Sequence, residues 1–332
     1  MEVGAIRRIV GAFRRLPLAG SLAAACLAVV CASQLRAEEF FPTRDENPLL
    51  RGFYRPLASD SRADAGAVLA ATFSIMNTLE SERRSTQQLL VDGESDTLRL
   101  SYEDSITHDW RYRVTVPVIR DSGGFLDSSI ESWHRFFGFN PGSRPYYPKN
   151  QLVYFYSGKN RIDMQDSGTS IGDVSAETGW YAADSATRTI SLWGGLKAPT
   201  GSTRRLTGDG AWDAALWAHA ARRWPDWRLA VELGLAQPMG DEIFAGSAHV
   251  TSAFMRGAVT RDLGPVWSLR AQLDGQTRRV NGTELRFLGP SLQLTVGAVR
   301  QVTHRWRLQM GFVEDAAVNT APDITFFLGI HD

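Results

Sequence analysis

The chain is 332 residues long and carries 36 basic and 36 acidic side chains, a formal net charge of zero. That balance gives no electrostatic footprint for nucleic acid. Its two cysteines, Cys26 and Cys31, both fall in the first 37 residues, so without that segment neither disulfides nor thiol catalysis are available.

Residues 1–37 read as a signal peptide. Arg7, Arg8, Arg14 and Arg15 precede the apolar "LPLAGSLAAACLAVVCA", and Leu35-Arg36-Ala37 supplies a small residue for cleavage. Their removal takes away five arginines and one glutamate and leaves 31 basic against 35 acidic residues. Residues 38–65, "EEFFPTRDENPLLRGFYRPLASDSRADA", do not alternate, yet they contain Phe40, Phe41, Phe53 and Tyr54. A disordered tail is usually poorer in aromatics. The segment is expected to be a periplasmic arm that packs against or into the mouth of the domain that follows.

From about residue 66 the sequence alternates with the strand period of two. In "WRLAVELGL", Trp227, Leu229, Val231, Leu233 and Leu235 oppose Arg228, Ala230, Glu232 and Gly234. "WRYRVTVPV", "WSLRAQLDG" and "WRLQMGF" behave alike. Twelve strands follow, near 66–79, 92–103, 109–119, 169–182, 187–198, 211–223, 226–237, 249–261, 265–276, 285–300, 304–314 and 322–331, with 151–158 a possible short addition. No run after residue 37 approaches the ~20 apolar residues of a membrane helix. Strands of about 9–14 residues do suit a tilted crossing of a bilayer.

Connections alternate between short ("EDSITHD", "ADSAT", "RWPD", "RDLGP", "QVTH") and long (120–168, 199–210, 238–248, 277–284, 314–321). Trp110, Trp180, Trp224, Trp227, Trp267 and Trp306 all lie beside short turns, as a girdle at one interface would. The expected fold is therefore all-β: a transmembrane antiparallel barrel of about 12 strands over 66–332, in the outer membrane of a Gram-negative bacterium. Outer-membrane lipid, lipopolysaccharide and the barrel-assembly machinery are its expected partners; oligomeric state is left open.

Strand parity turns Arg111, Arg113, Asp173, Glu177, Glu232, Arg270, Asp274 and Arg307 into the lumen, together with Arg99, Arg228, Arg305 and Glu103. Such charges must pair, so their first role is a structural network, and a polar conduit is their second.

The insert "SSIESWHRFFGFNPGSRPYYPKNQ" breaks the alternation. Ser128 and Glu131 are spaced as a capping box, Glu131 and Arg135 as an i, i+4 pair, and Gly138 as a stop, which predicts a helix over 128–138 in a long outer loop. Ile130, Trp133, Phe136 and Phe137 form its apolar flank. Trp133, His134 and Arg144 are candidates for ligand binding or for a lid. A hydrolase would need a nucleophile and an orienting group beside His134, and no such set is recognisable, nor is the His-x-Ser-Asn-Gly signature of outer-membrane phospholipase A. No catalytic residue, metal cluster or cofactor motif is assigned.

"LLVDGESDTLRLSYEDS", "WRYRVTVPV", "GGFLDSSIESWHRFFGF", "PKNQLVYFY" and the early "RDENPLL" together resemble the proteobacterial domain of unknown function 3187 family, one of the outer-membrane β-barrels. The likeness extends over nearly all of the chain after residue 37, with "WH-x-x-FG" its most specific part. Separately, "GDVSAETGWYA" and "ISLWGGLKAPTG" are similar to a hairpin of barrels that move hydrophobic compounds. The family resemblance implies a fold and a location but no activity. A channel or binding protein for small or hydrophobic molecules is the expected function, with a lipid-modifying hydrolase and a structural envelope protein as alternatives.

Overall fold

The computed structural model describes residues 39–59, 66–137, 144–240, 242–245, 247, 250–317 and 319–332. The predicted signal peptide, the helix stop at Gly138 and the end of the arm (60–65) lie outside them. Among the described residues the strands are β1 (Val68–Arg83), β2 (Gln88–Ser105), β3 (Trp110–Ser122), β4 (Val153–Ser157), β5 (Arg161–Met164), β6 (Gly168–Ile171), β7 (Val174–Asp184), β8 (Arg188–Ala198), β9 (Asp213–Arg223), β10 (Trp227–Pro238), β11 (Ser252–Asp262), β12 (Trp267–Gln276), β13 (Ser291–Gln301), β14 (Arg307–Asp315) and β15 (Ile324–His331), and the one α-helix is α1 (Asp127–Phe137).

Twelve of these strands close a barrel. Each pairs antiparallel with its neighbour in the order β1-β2-β3-β7 to β15, and β15 returns to β1 from Ala70↔His331 to Asn77↔Ile324. The remaining three are accessories. β6 precedes β7 on the same edge of β3, and the register slips at Gly172-Asp173 opposite Pro117, which has no N–H to give a ladder. β4 and β5 form a hairpin on the overhanging start of β2. The expected single strand at 151–158 is thus the first half of that hairpin.

Predicted bounds change at two places for local reasons. β1 and β2 run on to a tight turn at Arg84–Gln87, so their hairpin overhangs the last β1–β15 pair by six residues. Residues 285–290 are not strand. Arg286–Leu288 make a 3-10 turn ahead of Gly289-Pro290, whose proline again lacks a ladder donor.

The faces are those of a membrane protein. Leu229, Val231, Leu233 and Leu235 of β10 are exposed, while Ala230 and Glu232 between them are buried. A soluble sandwich would bury the leucines and solvate the glutamate; here an apolar belt surrounds a polar interior, as lipid on the outside demands. At the short-turn end the tryptophan girdle is in place: Trp110 pairs Trp180, and the guanidinium groups of Arg261 and Arg300 lie 4.7 Å and 5.3 Å from the rings of Trp227 and Trp267.

Leu233 is 63% exposed halfway along β10. Leu233→Arg should therefore destabilise the barrel in lipid vesicles by about 2–4 kcal/mol, measured by denaturant unfolding. On a water-facing surface the same change would stay within about 0.5 kcal/mol.

Candidate functional site

The lumen is filled by the chain's own N-terminal arm, whose described part, residues 39–59, crosses it twice. Glu39 enters at the short-turn end, where its carboxylate meets Arg223 Nε at 2.7 Å and His219 Nε2 at 3.5 Å. Phe41 N–H donates to Gln272 Oε1 at 2.7 Å, and Gln276 Nε2 donates to Asp45 at 2.6 Å. At the long-loop end Asn47 folds the chain back. Its side chain accepts from Leu49 N–H and donates to Phe287 O, and its carbonyl accepts from Leu50 and Arg51. The arm then descends. Arg51 grips Asp121 through both Nη groups at 2.9 and 2.7 Å, Tyr54 hydroxyl donates to Glu177 at 2.8 Å, and Ser59 N–H donates to Glu232 at 2.7 Å. The expectation placed this segment at or in the periplasmic mouth; its contacts extend the length of the barrel.

Small residues in the wall make the seat. A Cβ on Gly297 would sit 2.9 Å from the Phe41 ring, and one on Gly195 would overlap the Tyr54 hydroxyl. Phe41 packs on Phe327 at 5.0 Å with the Arg270 guanidinium 4.8 Å from its centroid. At the tip, Leu49, Leu50 and Phe53 join Tyr154, Tyr156, Phe244 and Phe287 in one apolar cluster built from the arm, the β4–β5 hairpin and the long loops. The outer end is thereby closed by a hydrophobic core. Loop 201–210 contributes to it: Leu206 is buried there and its carbonyl accepts from Arg51 Nε at 2.8 Å.

The wall beside the returning limb carries an aromatic ladder. Tyr181, Trp193, Trp217 and Phe254 follow one another at 6.1, 6.0 and 6.5 Å, rising from the short-turn end toward the long loops. Arg113 lies 5.3 Å over Trp193 and Arg55 lies 5.7 Å over Phe254. With the arm in place all four rings are buried; they would offer stacking faces backed by cations to a planar or apolar solute only where the arm is withdrawn.

The charges expected inside are found in contact. Arg111 meets Glu103 at 2.7 Å, Arg113 bonds Glu177, and Arg256 joins Glu232 to Asp274, the last also held by Arg55 at 3.2 Å. Arg270 donates to Thr260 and Arg307 to Gln301, both at 2.9 Å. Asp173 meets Lys197 at 2.9 Å. Arg305 is a correction: it sits in the β13–β14 turn with a largely exposed side chain and pairs Asp332, because strand parity does not extend through a turn. Arg228 reaches only the rim, at Asp262.

Sequence parity alone did not single out Arg256, Lys197, Asp121 or His219. Arg256 shares its inward face with Phe254 and Ala258, a mixture that hides the alternation. His219 is mid-β9, buried between Glu39 and Glu232.

The described part of the insert is anchored to the wall through Asp127 and Arg144. α1 begins at Asp127, and Ser128 lies within it, so the expected capping box is not formed. Asp127 accepts from Arg144 at 3.0 Å and from Asn150 N–H at 2.7 Å. Arg144 is buried and also bonds Asn77 of β1 and Asp323, which makes it a pin between loop and wall. Glu131 pairs with Lys149 at 2.5 Å, not with Arg135 as expected, since the returning chain passes alongside. The side chains of Trp133 and His134 lie outside the described residues. Phe136 is 82% exposed.

Lys197 serves three carboxylates, those of Asp173, Asp209 and Asp213. In the loop after β8, burial pushes Asp209 from 3.8 up to about 7, against the pull of Lys197. A folded-state pKa above the unfolded one contributes stability below about pH 4 that is lost as pH rises through about 7. The melting temperature should therefore fall between about pH 5 and about pH 8, and Asp209→Asn should flatten that slope in circular dichroism melts. Arg256→Ala would leave Glu232 and Asp274 short of a buried partner and should cost about 3–5 kcal/mol in denaturant unfolding.

A sequence model of a family described as "Protein of unknown function (DUF3187)" matches residues 41–331. No curated protein matches the chain. Among solved structures, the COG4313 outer membrane channel from Pseudomonas putida F1 is similar, with TM-score 0.57 and 15% identity over 83% of this chain and 99% of that one. The KdgM porin gives TM-score 0.43 and 8% identity over 80% and 97%. The toluene transporter TbuX from Ralstonia pickettii gives 0.40 and 9% over 80% and 89%. At 15% identity the first likeness is one of fold, that of an outer-membrane barrel.

Proposed function

The chain belongs to DUF3187, a family of proteins of unknown function, and with that premise supplying a family but no activity, we propose that it is an outer-membrane channel for small or apolar molecules, held shut by its own N-terminal arm. The observation that carries the reading is the arm itself. A lumen that accommodates two passes of chain, lined by charges on most strands and by an aromatic ladder on one side, has the bore and the chemistry of a solute path. The arm is held there by hydrogen bonds, ion pairs and packing, with no covalent tie besides its connection to β1.

In this reading residues 1–37 are a signal peptide cleaved after Ala37, the short turns face the periplasm, and the long loops meet lipopolysaccharide. The apolar belt and the tryptophan girdle support the membrane setting. Arg144 serves as a structural pin, and α1 is not needed as a lid because the arm already closes the lumen.

The test is conductance in planar bilayers. The intact protein should be silent or show brief small openings, and deletion of residues 39–59 should give a steady conductance at least tenfold larger. A deletion variant that still resists SDS unfolding below its heat-shift temperature, yet leaves the bilayer sealed, would favour a purely structural envelope protein.

A further inference from the structure

Between the two limbs of the arm lies a second polar feature that the channel reading does not use. A cavity of about 20 Å³ is lined from the arm by Arg44, Arg51, Tyr54, Arg55 and Leu57, and from the wall by Arg99, Thr115, Pro117, Asp173, Ser175 and Lys197. That is room for one water-sized or halide-sized particle. We propose that it is a binding site for a small monatomic anion, chloride first, which ties both limbs of the arm to the barrel wall.

The argument is one of donors. Arg55 spends its Nη groups on Gln276 and Asp274, at 2.7 and 3.2 Å. Arg99 spends its own on Pro42 O and Glu46. In each the Nε–H is left, and Arg55 Nε, Arg99 Nε and Arg44 Nε are all buried with no acceptor in the protein. Thr115 Oγ1 has no partner either. Arg55 and Arg99 are each 3% exposed. Four residues that carry an unmet buried donor therefore line one small space, and unmet buried donors of this kind are costly. A water molecule can accept from only two of them, whereas a single anion can accept from several N–H groups at once.

The charges agree. Four guanidinium groups, Arg44, Arg51, Arg55 and Arg99, face Glu46, Asp121 and Asp274, and Asp274 is shared with Arg256. Asp173 is the carboxylate on the cavity wall; its Oδ1 accepts from Gly201 N–H at 2.7 Å, and its Oδ2 makes an ion pair with Lys197 at 2.9 Å but no hydrogen bond. The Lys197 ammonium is in turn shared with Asp209 and Asp213 beyond it. The four arginines thus face three carboxylates of their own, while Lys197 on the wall faces three more. The site stands on the position of the arm and holds whether or not the lumen conducts.

The experiment follows thermal unfolding of the detergent-solubilised protein at fixed ionic strength while sodium chloride replaces sodium gluconate, whose anion is too large for the cavity. The melting temperature should rise with the logarithm of chloride concentration once the site begins to fill. Bromide should act likewise, and crystals grown in it should show an anomalous peak among Arg44, Arg55 and Arg99. Arg44→Gln, and independently the near-isosteric Thr115→Val, should weaken the chloride dependence while leaving a folded, heat-modifiable barrel. Equal melting in chloride and gluconate overturns the proposal, as does a chloride effect of the same size in both variants, or bromide found only elsewhere.

Discussion

Everything in this structure follows from the need to pair charges inside a barrel whose apolar faces are turned to lipid. Twelve strands place arginines, glutamates and aspartates on the inner wall, and their burial leaves each of them dependent on a neighbour. Some pairs close within the wall, such as Arg111 with Glu103. Others need the arm. Asp121 takes its bidentate partner from Arg51, Arg99 takes Glu46, and Arg223 takes Glu39. The N-terminal segment is in this sense a thirteenth piece of the interior, contributed by the chain before its first strand.

The barrel was legible in the sequence because two signals reinforce each other there. Period-two alternation in β10 or β12 fixes both strand and face, and tryptophans beside short turns fix one rim. The interior charges were legible to the extent that parity is. Where a strand mixes aromatic, small and charged residues on its inner face, as Phe254, Arg256 and Ala258 do, parity was silent. Where a turn intervenes, as at Arg305, it misled.

The path of the arm was not legible, and the reason is physical. Its main-chain N–H and C=O groups bond to individual side chains of distant strands: Phe41 to Gln272, Tyr54 to Asp213, Ser59 to Glu232, Leu57 and Ala58 to Arg113. Such bonds impose no period on the sequence of either partner. The wall glycines that make room for Phe41 and Tyr54 look, in sequence, like any glycine in a strand. Aromatic content alone signalled that the segment packs on something. The helix erred in a smaller way: Ser128 and Glu131 have the spacing of a capping box, but Asp127 lies one residue earlier and is held by Arg144 and Asn150, so the helix begins there.

The central claim is that the arm lies inside the barrel against the wall, and one distance tests it most directly. Thr43 of the ascending limb and Thr295 of β13 bring their hydroxyl oxygens to 3.4 Å, although 252 positions separate them in sequence. Cysteines at both positions, Thr43→Cys with Thr295→Cys, should form a disulfide in nearly all of the membrane-embedded, folded protein, identified by mass spectrometry of the linked peptides. The account predicts that linkage, with both thiols closed to a membrane-impermeant maleimide until reduction. Two free thiols that react readily in folded protein would contradict it, since the arm would then lie outside the lumen.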